Sequence, residues 1–485
     1  TDQSNSYNTG IGYNSLYAIT TGTHNVAVGN GAGSALTSGG YHVLIGSGAG
    51  QSMTTNNLGS VAIGYNALSS QTVKGRTVAI GVQSLNSLNH PSSDDYNVAM
   101  GYRSGYTIVT GLQNVFIGAF TGQETKGSYN AFVGYQAGLY AGPTSYSTYI
   151  GNFAGGYATG SYNTFVGRAA GAGGTTSAPY SSGEYNTAIG YDALKGFTTG
   201  YQNVMIGPFT GDAITTGYNN TALGYAALSA EDTGTRNVAI GNEALKVLNY
   251  DGAGYNVAVG HRAGYALTTQ TKTIFIGAFA GSALTTSGDS NMAIGYAAMG
   301  GAEVGDGNIA IGRSSMANAN ASGFHRNVAI GYETMANVGS NSAADNIAIG
   351  YQALNDINGN ALGNVAIGSY SGDAITSGDY NVSIGENALS SVNTGGSNIG
   401  IGRLAGANNT SANSNMYIGY AAGYGNQTGT NNTIVGNYSL SQTVGIVNFT
   451  NVTTLGWEAG YYATGSYNTF VGSEAGKGGQ TSAPF

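Results

Sequence analysis

Hydrophobic and polar positions alternate in a short motif that recurs along the whole chain. The motif reads Asn, β-branched residue, Ala, Ile or Val, Gly, as in Asn25–Gly29, Asn237–Gly241 and Asn364–Gly368. Aligned on the closing glycine, 27 copies run from Gly12 to Gly472, and 14 of the 26 spacings are 17 residues. Apolar residues two positions apart, followed by glycine, are typical of a short β-strand. Self-similarity at such a period predicts a solenoid in which each repeat is one coil.

The remaining positions of the repeat predict how each coil closes. A coil of about 17 residues is too short for a helix and a strand, so we expect two short strands and two bends, with the strands stacked in parallel. Ala, Ser or Thr lies three residues after every closing glycine, and Gly, Leu or Met follows it, which indicates a tight corner. Asparagine opens the motif in 21 copies, and stacked amides at that bend are expected to form a hydrogen-bonded ladder.

These patterns predict an all-β protein: one parallel β-solenoid or β-roll of about 27 coils that spans residues 1–485 as a single domain. At ~4.8 Å per stacked strand, the rod would be roughly 130 Å long.

The middle residue of the motif suggests how chains assemble. If the flanking Val and Ile face the coil interior, the middle residue points outward, because side chains alternate across a strand. This column is Ala in about half the copies and bulky in others. A continuous apolar strip on the outside predicts a seam between identical chains, hence a homotrimeric rod, whereas the alternative is that small alanines are tolerated at the surface. The candidate inter-chain residues are Leu44, Phe116, Phe132, Tyr149, Phe165, Met205, Phe275, Tyr417, Ile434 and Phe470.

Aromatic residues directly after the closing glycine form a second candidate site. Their large rings with polar tips suit sugar or protein surfaces, so one hypothesis is a weak, multivalent glycan- or surface-binding strip. The other is that the rings stack on one another and cover the bends. The strip consists of Tyr13, Tyr65, Tyr102, Tyr135, Tyr191, Tyr225, Tyr296, Tyr332, Tyr351, Tyr420 and Trp457.

Composition argues against several classes of function. With 83 Gly, no Cys and a net charge of -8, the chain has neither a thiolate site nor a basic stripe for nucleic acid. Its apolar runs are far shorter than the ~20 residues of a membrane-spanning helix, so we expect no membrane insertion. The five histidines are spread along the chain, with only His24 and His42 in neighbouring coils. Glu458 and Glu474, the best pair of carboxylates for catalysis, would stack on a flat ladder without a cleft. We therefore expect neither an enzyme nor a bound metal or cofactor.

The quoted motif resembles the repeat of trimeric autotransporter adhesin heads and is similar to glycine-rich repeats of phage tail fibres. The resemblance covers Asn8 to Gly472 and implies a left-handed, trimeric β-roll. It also implies an extracellular fibre, on a virion or cell surface, that attaches to a host or another surface and whose partners are itself and surface glycans. A self-assembling extracellular structural filament is the alternative.

Ice binding is a third functional hypothesis for such a solenoid. It requires an outward ladder of threonines, whereas Thr164, Thr187 and Thr221 share a column with the Val and Ile that we assign to the interior.

Two segments of the sequence are nearly duplicated. Ala463–Gly472 repeats Ala158–Gly167 residue for residue, and Thr481–Phe485 echoes the segment from Thr176 to Tyr180. The earlier copy continues into another coil. We therefore expect the chain to be a fragment of a longer fibre.

Overall fold

The computed structural model describes residues 6–54, 59–72, 75–90, 94–175, 177, 180–285, 288–301, 303–338, 342–442 and 448–478. They belong to two compact units, Thr1–Asn237 with Asn249–Ala253, and Val238–Leu248 with Gly254–Phe485. Within these described ranges there is no helix, and so none that could cross a membrane. The predicted echo at Thr481–Phe485 lies outside the described residues.

The first unit is a stack of thirteen parallel strands, one in each coil. Neighbouring strands pair in register, so that Phe116 lies beside Phe132 and Phe165 beside Ala188. The strands are β1 Thr9–Ile11, β2 Val26–Val28, β3 Val43–Ile45, β4 Val61–Ile63, β5 Val78–Ile80, β6 Val98–Met100, β7 Val115–Ile117, β8 Ala131–Val133, β9 Thr148–Ile150, β10 Thr164–Val166, β11 Thr187–Ile189, β12 Val204–Ile206 and β13 Thr221–Leu223.

The second unit continues the pattern with fourteen stacked strands and one separate pair, β18 with β20. Both units thus have the predicted all-β, parallel solenoid fold, with 27 coils in total. The strands are β14 Val238–Ile240, β15 Val257–Val259, β16 Ile274–Ile276, β17 Met292–Ile294, β18 Glu303–Val304, β19 Ile309–Ile311, β20 Asn320–Ala321, β21 Val328–Ile330, β22 Ile347–Ile349, β23 Val365–Ile367, β24 Val382–Ile384, β25 Ile399–Ile401, β26 Met416–Ile418, β27 Thr433–Val435, β28 Thr453–Leu455 and β29 Thr469–Val471.

The middle residue of each strand faces the coil interior, so the prediction that this residue points outward is wrong. In β2, for example, Ala27 is fully buried while Val26 and Val28 are not. A three-residue strand turns one side chain to one face and two to the other, and the narrow coil has room for one. The candidate inter-chain residues therefore lie inside their own coils rather than on an outer strip. They are Leu44, Phe116, Phe132, Tyr149, Phe165, Met205, Phe275, Tyr417 and Ile434, all fully buried, and the half-buried Phe470.

Side-chain sizes are matched across this narrow interior. A bulky middle residue faces glycine at the corner four residues after the closing glycine: a Cβ placed on Gly122 would lie 2.7 Å from the Phe116 ring, and one on Gly281 2.9 Å from the Phe275 ring. Where the middle residue is alanine, as in most other coils, the corner is often Leu or Met, such as the buried Leu354. In these coils the two columns compensate in size, so that an aromatic ring and a large corner residue never occupy the same coil.

The closing glycines lie against one another from coil to coil. Gly260, for instance, has φ +137°, and a Cβ there would lie 2.5 Å from the carbonyl oxygen of Gly277. Any other residue at this position would collide with backbone and adopt an unfavourable φ. This is why the column does not vary.

The predicted asparagine ladder is confirmed. In the buried run from Asn381 to Asn432, the side-chain oxygen of each asparagine accepts a hydrogen bond from the backbone N–H of the next, as between Asn398 and Asn415 at 3.1 Å. Each side-chain NH₂ also donates across the coil, as from Asn398 to the carbonyl of Ala412 at 2.8 Å. Buried amides are thereby satisfied without water.

The side of the coil opposite the sheet is built of hydrogen-bonded turns rather than a second strand in every coil. Only β18 and β20 pair there as strands in the described ranges, with a few isolated bridges such as Ala158 to Ser181. The predicted second strand fails because residues such as Asn66 and Leu68 have φ near +54°, which bends the chain after each closing glycine.

Candidate interaction surface

Two outward rows of side chains cover the exposed face of each sheet, and we call them the aliphatic face. They are the first and third residues of the 27 stacked strands, and none of these positions is buried. The third position is Ile, Val, Leu or Met in every coil, and the first is mostly Val, Ile or Thr. Ile349 and Ile367 are each 37% exposed although they are purely apolar.

The aliphatic face carries no charge. None of its positions holds Asp, Glu, Lys, Arg or His, although exposed sheets and sheet edges usually carry charges that discourage association. Monomeric soluble proteins seldom expose continuous apolar patches of more than a few hundred Å². A face that repeats thirteen times in one unit and fourteen in the other is therefore a candidate interaction surface.

The threonines invoked against ice binding also lie on this face. Thr164 and Thr187 are half-buried and Thr221 is exposed, so the prediction that they point inward is wrong. Outward threonines nevertheless occur in runs of at most three strands, β9–β11 and β27–β29. Aliphatic residues interrupt the ladder everywhere else.

The aromatic column after the closing glycine borders the aliphatic face on one side. Most rings of this column are more than a third exposed, and their exposed fractions range from 39% for Tyr332 to 76% for Tyr13. Rings in adjacent coils of this column rarely stack on one another. Tyr332 and Tyr351 do, with ring centroids 5.6 Å apart. Elsewhere a residue of the coil between two tyrosines contacts both of their rings. The Arg313 guanidinium, for example, lies 5.8 Å from the Tyr296 ring centroid and 5.6 Å from that of Tyr332. Many ring faces are thus already covered, which favours the hypothesis that these rings protect the bends.

A second aromatic column, five residues before the closing glycine, borders the face on its other side and was missed from the sequence. Tyr129, Tyr146, Tyr162 and Tyr185 form a continuous stack with centroid distances of 4.8, 5.2 and 4.9 Å and interplanar angles of at most 9°. All four have φ between +56° and +63°, a conformation uncommon for non-glycine residues. The signal in the sequence was a tyrosine directly before the first residue of the motif in each of these coils, which is Asn in three of them and Ser147 after Tyr146.

The two glutamates considered for catalysis are held by a cation. Lys477 forms an ion pair with Glu458 and lies 3.5 Å from Glu474. Its ammonium also lies over the Trp457 ring at 5.3 Å. Among the described residues, no three His, Asp or Glu side chains are close enough to hold a metal ion.

Two acidic side chains of the first unit, Glu231 and Asp95, have raised pKa values. Glu231 is fully buried, and its carboxylate accepts hydrogen bonds from the backbone N–H groups of Gly234 at 2.7 Å and Tyr250 at 3.4 Å. Burial nevertheless raises its pKa to about 7. Burial likewise raises the pKa of Asp95 to about 7, against the hydrogen bond from Gln71. Both lie on turns, away from the aliphatic face, so we assign them to coil structure.

No protein-family model matches this chain, and no curated protein matches it in sequence. The parallel solenoid is therefore established by strand register and coil packing.

Proposed function

We propose that this chain is a structural and adhesive fibre, a homotrimer whose chains meet along the aliphatic face. The observation that carries the proposal is the third strand position, which is aliphatic and outward in all 27 coils. Burying such rows contributes about 25 cal/mol per Å² of apolar surface removed from water. Many small contributions along the face would then hold the chains together.

A second copy of the same chain is the partner that fits this face best. The rows repeat with the spacing of stacked strands, ~4.8 Å, and a partner must present knobs at the same spacing to pack along the whole face. Another copy does so by construction. Tyrosines and arginines border the face on both sides, as at Tyr296 and Arg313 on one side and at Tyr96 and Arg76 on the other. These residue types are enriched at protein interfaces.

The number of chains, the extracellular location and the adhesive role are inferred from the resemblance of the motif to trimeric adhesin heads and phage tail fibres. Attachment to a host or other surface, including its glycans, would use the columns that remain exposed beside the seam. No cofactor, nucleic acid or membrane insertion is part of this proposal.

The mass in solution tests the proposal. Light scattering over a range of concentrations should give a particle near 146 kDa, three times the chain mass of 48.8 kDa. A stable monomer would refute the seam. Open-ended growth with concentration would instead favour the self-assembling filament.

A matched set of variants locates the seam. Ile349→Glu with Ile367→Glu places carboxylates on the aliphatic face, where burial would cost several kcal/mol per charge, so the assembly should dissociate into folded monomers. Ser369→Glu adds a charge at an exposed position in the column that holds Glu386 in the next coil, and should leave the mass unchanged. Ala348→Glu, on the buried side of the same strand, should instead unfold the coils around it. Dissociation by Ser369→Glu alone would place the seam elsewhere.

A further inference from the structure

The stack of four tyrosines in the first unit ends at an open cavity. The next coil places Gln202 where the stack would continue, and its tyrosine, Tyr201, is shifted by one residue. Tyr201 instead starts a separate stack with Tyr218, at 4.7 Å and 4°. A cavity of about 390 Å³ lies at this break and is lined by Tyr185, Tyr201 and Gln202 among others. A volume of this size is within the range of small-molecule sites.

The walls of the cavity combine a ring platform with hydrogen-bonding groups. Tyr185 is 54% exposed, and its ring is held in place by the Tyr162 ring 4.9 Å away. The polar lining residues are Glu184, Gln202 and the hydroxyl residues Ser182 and Thr199, and Gly183 completes the lining. Backbone hydrogen bonds fix the two coils against each other, as from the N–H of Gln202 to the carbonyl of Glu184 at 3.0 Å. The platform and its polar rim are thus set before any ligand arrives.

We infer that this cavity is a saccharide-binding slot in which a pyranose ring packs against the exposed Tyr185 ring, beside Gln202. The apolar C–H face of such a ring suits the open face of a tyrosine. Its hydroxyl edge suits a carboxylate that only accepts hydrogen bonds, an amide that does both, and two hydroxyls. A purely aromatic ligand would stack equally well but would leave these polar groups unused. The slot lies outside the aliphatic face and does not depend on how the chains assemble.

Titration with simple glycosides tests the slot. The probes are the methyl glycosides of glucose, galactose, mannose and N-acetylglucosamine, followed by saturation-transfer NMR. We expect at least one to bind with a Kd of about 1–10 mM, because one ring on one platform makes few contacts. Phenol serves as the aromatic comparison, and binding of phenol without any glycoside would overturn the inference.

Variants assign the binding to this slot. Tyr185→Ala removes the platform and should abolish measurable binding, and Gln202→Ala should weaken it about tenfold, the loss of one or two hydrogen bonds. Tyr380→Ala is the control, since Tyr380 lies in the same column of the second unit, is 64% exposed and does not line this cavity. Equal loss in Tyr380→Ala and Tyr185→Ala, or no saturable binding by any probe, would overturn the slot.

The same titration separates the slot from the proposed seam. Repeating it with the Ile349→Glu, Ile367→Glu chain should give the same Kd, because those positions lie in the other unit. Binding retained in a chain that no longer assembles supports the slot independently of the fibre.

Discussion

Exchanging large and small residues across the coil interior gives the sharpest check of which way the strands face. Phe275 is fully buried, and its ring faces Gly281 at the corner of its own coil and Gly264 at the corner of the preceding coil. Phe275→Ala should cost about 3–5 kcal/mol, as is typical for removing a buried aromatic ring. Gly281→Leu alone should also destabilise, because its Cβ would lie 2.9 Å from that ring.

The double variant should be more stable than Phe275→Ala alone. It recreates the alanine and leucine pair of other coils, where Leu245 occupies the same corner with φ +48°, close to the +59° of Gly281. Burial of leucine contributes about 1.5–3 kcal/mol, and the left-handed backbone costs about 1–2 kcal/mol. With part of the cavity filled as well, we expect recovery of about 1–2 kcal/mol.

Hydrogen exchange of the backbone amides in β15–β17 measures this locally, which matters because a long repeat array need not unfold in one step. Urea unfolding followed by circular dichroism gives the global comparison at fixed chain concentration. If the two substitutions were simply additive, or the double variant were less stable than either single one, the inward orientation of the middle residue would be refuted.

Three further outcomes are expected. Gly260→Ala should prevent folding of its coil because its Cβ would meet the carbonyl of Gly277, whereas Gly31→Asn should be tolerated because nothing lies within 4 Å of that position; protease resistance distinguishes them. Asn398→Ala should cost about 2–4 kcal/mol in urea unfolding, since it leaves a buried N–H and a buried carbonyl without partners; a cost below about 0.5 kcal/mol would contradict the ladder. The folded chain holds the Glu231 proton more tightly than the unfolded chain, because its pKa is raised to about 7. That contribution to stability is present below about pH 4.5 and lost as the pH rises through about 7, so Glu231→Gln should reduce the fall in unfolding temperature between about pH 5 and pH 8.

Much of the fold could be predicted because the repeat itself imposes it. The closing glycine fixed the coil boundaries, and the asparagine column fixed a ladder that requires amides at constant spacing. It was harder to predict which side of each strand faces the coil interior, since Val, Ala and Ile are all apolar. The deciding signal was the size relation between columns: Phe116 occurs with Gly122 and Tyr417 with Gly423, as expected only if the two positions touch.

The interaction surfaces were less accessible from sequence. The outward strip was predicted at the wrong strand positions because alternation along three residues fits either orientation. The Tyr129 to Tyr185 stack was missed because an exposed tyrosine before a strand reads as an ordinary bend residue. The rings stack because coils of different length, with tyrosines 16 to 23 residues apart, still meet in register. This register is visible only in the three-dimensional structure.

Coil length and strand register are independent in this molecule. The longest repeat, 23 residues from Gly167 to Gly190, still pairs Phe165 directly with Ala188, so the length of the turns between two strands does not shift the strand register. Those turns are accordingly where foreign peptides could be inserted with the least penalty to folding. Peptides inserted at the same turn of successive coils would be displayed as a regular array with a spacing of ~4.8 Å. Each unit could thus serve as a scaffold that fixes the distance between the copies of a multivalent ligand.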